Sequence, residues 1–183
     1  MNYKLWWKYS AKVFLLKGVN MSTRGLFGFK INGENYLEFS SHDSYPSGLG
    51  LYWRDKMFSY DLNVMKEKLS KVNNIVMKEE SPVKNLNNIA EKLSITKEEA
   101  KGLIDRYDDM LVNDDSGAFD SIYKGEMDLF LNDEEFANNT LFCEYVYYYD
   151  YDINKFVMID NRNEIVLSLP LDSKDWQKYF SVV

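Results

Sequence analysis

The side chains able to do acid–base or nucleophilic chemistry are few and unusually placed. His42 is the single histidine of the 183-residue chain, so any scheme that needs two imidazoles is excluded, two-histidine metal sites among them. It opens His42-Asp43-Ser44, yet neighbours in an extended chain point apart, whereas a catalytic triad needs three side chains converging from separate places. One histidine hydrogen-bonded within a turn is the simpler reading. Ser22 offers a sharper one. If translation begins at Met21 and that methionine is removed, the Ser22 hydroxyl stands beside its own α-amine, as in N-terminal-nucleophile hydrolases. Arg24, His42 and Asp43 could then hold a substrate carboxylate or an oxyanion. No Gly-x-Ser-x-Gly, phosphate-binding glycine loop or Cys-x-x-Cys accompanies it.

The carboxylates form no obvious acid/base pair. Asp105, Asp108, Asp109, Asp114, Asp115 and Asp120 fall within sixteen positions, and Asp114-Asp115-Ser116-Gly117 invites a calcium-loop reading. With Gly117 at the sixth position of such a loop, the first is Val112 and the twelfth Tyr123, neither of which supplies the carboxylate required. Asp150, Asp152 and Asn154 open a similar pattern, but it lacks the glycine and ends on Asn161. A solvated helix end and a hairpin turn account for the two runs, and no metal or other cofactor is expected.

Composition narrows the partners. The net charge of −7 argues against general affinity for nucleic acid or anionic membrane and points to basic partners. A 16% aromatic share with 14 tyrosines suggests a sheet or a contact surface. Cys143 is alone, so no intramolecular disulfide forms and the cytoplasm is the expected compartment. No apolar run approaches the ~20 residues of a membrane span.

These residues must be positioned by a small set of elements. Residues 23–34 read as a strand, an Asn32-Gly33 turn and a return strand; 42–50 read as a Pro/Ser/Gly loop. Helical spacing of Leu51, Met57, Phe58, Leu62, Met65 and Leu69 predicts one helix over 51–71, followed by a short strand at 74–78. Two helices follow at 83–93 and 96–109, the second opened by a Thr96…Glu99 capping box. Residues 141–151, 155–159 and 165–169 predict an antiparallel meander, and 172–176 start a closing helix. The predicted fold is α+β in one domain spanning 21–183. Hairpin and meander share an antiparallel sheet, and the middle helices cover one face.

Residues 1–20 differ from the rest, with four lysines and no acidic residue. They are either a non-native extension or an accessory amphipathic helix carrying Leu5, Trp6, Tyr9, Val13 and Leu16. Codons for Lys17-Gly18-Val19-Asn20 can embed a ribosome-binding sequence ahead of Met21. Without the four lysines, 18 basic residues face 29 acidic ones, a net charge of −11.

Met21-Ser22-Thr23-Arg24-Gly25 through Gly28-Phe29, then His42-Asp43-Ser44-Tyr45-Pro46-Ser47-Gly48-Leu49-Gly50, resembles a family of small proteins of bacteriophages and mobile elements. Glu144-Tyr145-Val146-Tyr147 and the Asp-containing hairpin after it resemble that family's C-terminal sheet. The resemblance covers about a third of the chain. It implies a start at Met21, although family members carry Cys where this chain has Ser22. It also implies a phage setting, in which small acidic proteins without enzymatic motifs often antagonise host defence. The implied activity is inhibition of a nucleic-acid-guided defence nuclease, an anti-CRISPR acting on a Cas9-type effector. Asp105, Asp108, Asp109, Asp114, Asp115, Asp150 and Asp152 are the contact candidates, and no direct nucleic-acid or membrane binding is expected. Mass spectrometry of the protein expressed from its own upstream DNA should find Ser22 at the N-terminus; a product beginning at Met1 refutes the late start.

Overall fold

The computed structural model describes residues 23–40, 43–78, 82–113 and 117–180. The sequence pattern of alternating apolar runs around Asn-Gly gives the expected hairpin of β1 (Gly25–Ile31) and β2 (Glu34–Ser40). Asn32 and Gly33 take φ of 52° and 79°, the positive values that a two-residue hairpin turn requires. The meander forms as β5 (Tyr145–Asp150), β6 (Lys155–Asp160) and β7 (Ile165–Leu169). All five strands lie in one sheet of order β2-β1-β5-β6-β7. Hairpin and meander meet differently from the antiparallel expectation: β1 and β5 run parallel, from Gly25 opposite Tyr145 to Lys30 opposite Asp150. Parallel neighbours need a long crossover, which the helical middle of the chain supplies.

That middle holds α1 (Leu51–Phe58), α2 (Leu62–Leu69), α3 (Pro82–Leu93), α4 (Lys97–Asn113) and α5 (Gly117–Lys124). The single helix predicted over 51–71 is two. Asp61 breaks it, because its carboxylate accepts the backbone N–H groups of Asn63 (2.9 Å) and Val64 (3.2 Å) and so starts a new helix. The capping box forms as expected, with Glu99 accepting the Thr96 N–H at 2.8 Å and Thr96 Oγ1 accepting that of Glu99 at 3.2 Å. Two parallel strands, β3 (Asn73–Val76) and β4 (Leu129–Asn132), make a second small sheet. The chain closes with α6 (Trp176–Phe180).

Aromatic packing fills the space between the sheet and the helices. Trp53 is fully buried, with Phe27 and Phe29 at ring separations of 4.8 and 5.3 Å, and it donates to the Gly28 carbonyl at 3.1 Å. Phe119 from α5 joins them, 5.1 Å from both Phe29 and Trp53 and 5.0 Å from Phe130 on β4. The other sheet face carries a smaller cluster of Leu26, Leu37, Cys143, Val146, Tyr148 and Val157. A 3-10 turn at Glu134–Asn138 packs on it through Phe136, edge-on to Phe39 at 4.9 Å.

The outer edge of β2 is closed by side chains instead of another strand. Asn132, fully buried, accepts the Leu37 N–H at 3.1 Å and donates to the Asn35 carbonyl at 2.6 Å. Asp133 accepts the Phe39 N–H at 3.0 Å while its own N–H donates to the Leu37 carbonyl at 2.8 Å. Buried backbone groups left without partners cost roughly 1–3 kcal/mol each. Asn132→Leu should therefore lower stability by about 2–4 kcal/mol, read as a fall in the urea midpoint. A loss under about 0.5 kcal/mol, the usual size of a neutral surface change, would show that Asn132 does not hold the edge.

Candidate functional site

The run from Asp43 to Gly50 is seated on the start of the sheet by contacts that few other residues permit. Asp43 takes φ of 40°, an uncommon value outside glycine. The Ser44 N–H donates to Thr23 Oγ1 at 2.8 Å, and its carbonyl accepts the buried Tyr147 hydroxyl at 2.7 Å. A Cβ on Gly25 would lie 2.6 Å from the Tyr145 carbonyl oxygen and 2.9 Å from Ser44 Cβ, so glycine is what lets the loop close on β1. Pro46–Gly50 then forms a widened π-type turn that runs directly into α1. Ser44 Oγ is buried and has no hydrogen-bond partner among the described residues.

The polar side of this loop faces outward. Tyr45 is 50% exposed, Tyr52 on the adjoining α1 is 45% exposed, and Tyr179 on α6, which packs on the same turn, is 44% exposed. Asp43, Asp55 and Asp175 are exposed as well, Asp55 paired with Arg54 and Asp175 with Lys178 at 2.6 Å. Arg54 lies over the Trp176 ring at 5.8 Å, linking α1 to α6. Tyr45 on the turn and Tyr179 on the helix packed against it thus offer exposed tyrosine area, while Tyr52 lies on the side of α1 that faces Tyr60. None of these tyrosines was singled out by sequence reasoning, since nothing in their spacing separates them from the buried ones.

The acidic residues expected to make contacts are placed very differently from one another. Asp150 pairs with Lys30 at 3.2 Å and accepts the Asp152 N–H at 2.9 Å. Asp152 accepts the N–H groups of Asn32 (2.8 Å) and Gly33 (2.9 Å), which hold its carboxyl below the usual range. Both aspartates thus bind the tip of the first hairpin, although Asp152 remains exposed to solvent. Asp105 and Asp108 sit half-buried on α4, and Asp109 continues that helix. Asp114 and Asp115, like Ser22 and His42, lie outside the described residues. No cluster of three metal-ligating side chains occurs among the described residues.

A second polar network sits at the start of α5. Glu38, buried on β2, accepts the Ala118 N–H at 3.1 Å, a carboxylate at the positive end of a helix. Gly117 beside it has φ of 71°, and a Cβ there would lie 2.8 Å from the Glu38 carboxylate. One turn on, Asp120 accepts from the Tyr60 hydroxyl and from Lys56 Nζ at 2.7 Å. A carboxylate held by an ammonium and a hydroxyl joins α5 to α1 and to Tyr60 beyond it. Glu38 is legible only as a break in the apolar alternation of Tyr36-Leu37-Glu38-Phe39.

No family model, no curated protein and no solved structure matches the chain. Among the described residues, no helix is long and apolar enough to cross a membrane. Burial pushes the hydroxyls of Tyr60, Tyr147 and Tyr151 well up, and Tyr107 likewise. A raised folded-state value means that the contribution of these groups is complete below the unfolded value near 10 and is lost as pH rises above it. Ultraviolet titration should show tyrosine ionisation delayed and then cooperative with loss of near-ultraviolet circular dichroism. Smooth ionisation of every tyrosine near its ordinary value, with the fold intact, would contradict this burial.

Proposed function

We propose that the protein is a binding protein that inhibits a nucleic-acid-guided defence nuclease, with a Cas9-type effector as the target to test first. The observation that carries the reading is exposed Asp43 and Tyr45 on a turn fixed through Gly25, Ser44 and Tyr147, with exposed Tyr179 on the helix packed against that turn. Tyrosine supplies rigid contact area at interfaces. Carboxylates compete for a cleft lined with phosphate-binding lysine and arginine. The same run, 42–50, carries the resemblance to phage proteins. Charge in the chain is also uneven, with ten carboxylates against only Lys155 and Arg162 between residues 125 and 164. On this reading Asp105, Asp108, Asp109, Asp114 and Asp115 add to the attraction, while Asp150 and Asp152 mainly shape the hairpin.

A pull-down of C-terminally tagged protein against the effector, with and without guide RNA, tests the proposal. Retention should be strong at low salt and weaken as salt rises, since screening shortens the reach of exposed charge to about 8 Å at physiological strength. Tyr45→Ala with Tyr179→Ala should weaken binding about 10-fold or more, the scale of an interface anchor. Reversing Asp105 and Asp108 to lysine should slow association, and Ser22→Ala should leave retention unchanged. Absence of retention under every condition overturns the defence-target reading, and loss with Ser22→Ala alone would return the argument to the hydrolase.

A further inference from the structure

The tip of the first hairpin carries the pair of residues in this chain most prone to covalent change. Asn32-Gly33 is the one place where glycine follows asparagine. In such a pair the glycine nitrogen can attack the asparagine side chain with no Cβ in its way. Both residues are exposed, and beyond their chain neighbours no atom lies within 4 Å of where a Gly33 Cβ would stand. Crowding therefore does not shield the pair.

A carboxylate does reach it. Asp152 accepts the Gly33 N–H at 2.9 Å with one oxygen and the Asn32 N–H at 2.8 Å with the other. The parallel seam delivers it there. The Tyr151 N–H donates to the Lys30 carbonyl at 2.9 Å, carrying the β1–β5 pairing one residue past Asp150, and the Asp150 carboxylate accepts the Asp152 N–H at 2.9 Å. Lys30 in turn pairs with Asp150 at 3.2 Å. One nitrogen, that of Gly33, is thus both the nucleophile that deamidation needs and the donor that Asp152 occupies.

We propose that Asn32 is a site of spontaneous deamidation and that Asp152 holds it silent in the folded chain. In this reaction the Gly33 nitrogen gives up its proton to water or hydroxide and bonds to Asn32 Cγ. The bond from Cγ to the side-chain nitrogen breaks, and that nitrogen takes up a proton and leaves as ammonia. Water then opens the five-membered succinimide at either carbonyl, leaving aspartate or isoaspartate at position 32. Asp152 opposes the first step in two ways. Its charge-assisted hydrogen bond holds the nitrogen and its proton in the turn, and its negative charge disfavours the amide anion that must form before attack. The product adds a carboxylate to the turn that Asp152 grips, so modification would loosen the tie between this hairpin and the turn after β5.

Peptide mapping by mass spectrometry follows the exchange of the Asn32 amide for an acid in the full chain, kept at mildly alkaline pH. The folded chain should react about 10-fold or more slowly than the same chain unfolded in guanidinium chloride, the scale of one charge-assisted hydrogen bond. Asp152→Ala should remove most of that difference with near-ultraviolet circular dichroism unchanged, and Asp152→Asn, which keeps the shape and loses the charge, should lie between. Hydrogen exchange on the unaltered chain gives a reading that does not depend on a variant folding: the amides of Asn32 and Gly33, although exposed, should exchange more slowly than in the unfolded chain. Equal rates in the unaltered chain and both variants would show that the hairpin alone restrains Asn32 and overturn the proposal. So would a folded chain that deamidates as fast as the unfolded one, or a Gly33 amide that exchanges at the unfolded rate.

Discussion

The parallel pairing of β1 with β5 is the constraint on which the rest of the structure depends. Two neighbouring strands that run the same way cannot be joined by a tight turn. The chain between them must leave one end of the sheet, cross it and return to the other. Everything from the 43–50 turn to the 3-10 turn at Glu134–Asn138 belongs to that passage. Because β1 and β5 are central, both faces of the pair need cover, and the two hydrophobic clusters follow from that need. The larger is aromatic, and Trp53, Phe29 and Phe119 lock three separate elements with one another.

Polar residues inside this frame finish backbone ends that the strands and helices leave open. Asn132 and Asp133 satisfy β2 where a further strand would otherwise sit, Glu38 meets the start of α5, and Asp150 and Asp152 tie the tip of one hairpin to the turn of the other. Such groups are costly when unpaired in a buried setting. A good part of the acidic composition therefore has an internal use. That changes how the net charge relates to binding. Other carboxylates stay exposed, among them Asp43, Asp55 beside Arg54 and Asp175 beside Lys178.

The 43–50 turn ties the start of the sheet to the first helix. It closes on the sheet through a glycine that leaves room and a buried tyrosine hydroxyl, and the same closure turns Tyr45 outward. Contacts offered from a fixed turn lose less conformational freedom on binding than contacts offered from a loose one.

The sequence by itself determined the elements whose signals are local. Asn32-Gly33 specifies its hairpin because positive φ is required at both positions, Thr96 and Glu99 specify a helix start because their groups satisfy each other, and the aromatic run at 141–151 specifies a strand, which forms only from Tyr145. The α+β class followed from those signals. Only the tertiary structure decided what depends on residues far apart in the chain. The parallel seam, the short β4 and the burial of Glu38 have no local signature strong enough to be read, whereas the break at Asp61 is a local cap that the continuous apolar spacing on either side masks. The same holds for the candidate site. The Asp43–Gly50 run was visible as unusual, but exposed Tyr45 and buried Tyr147 look alike as letters, and packing alone leaves one in solvent and sets the other against Ser44.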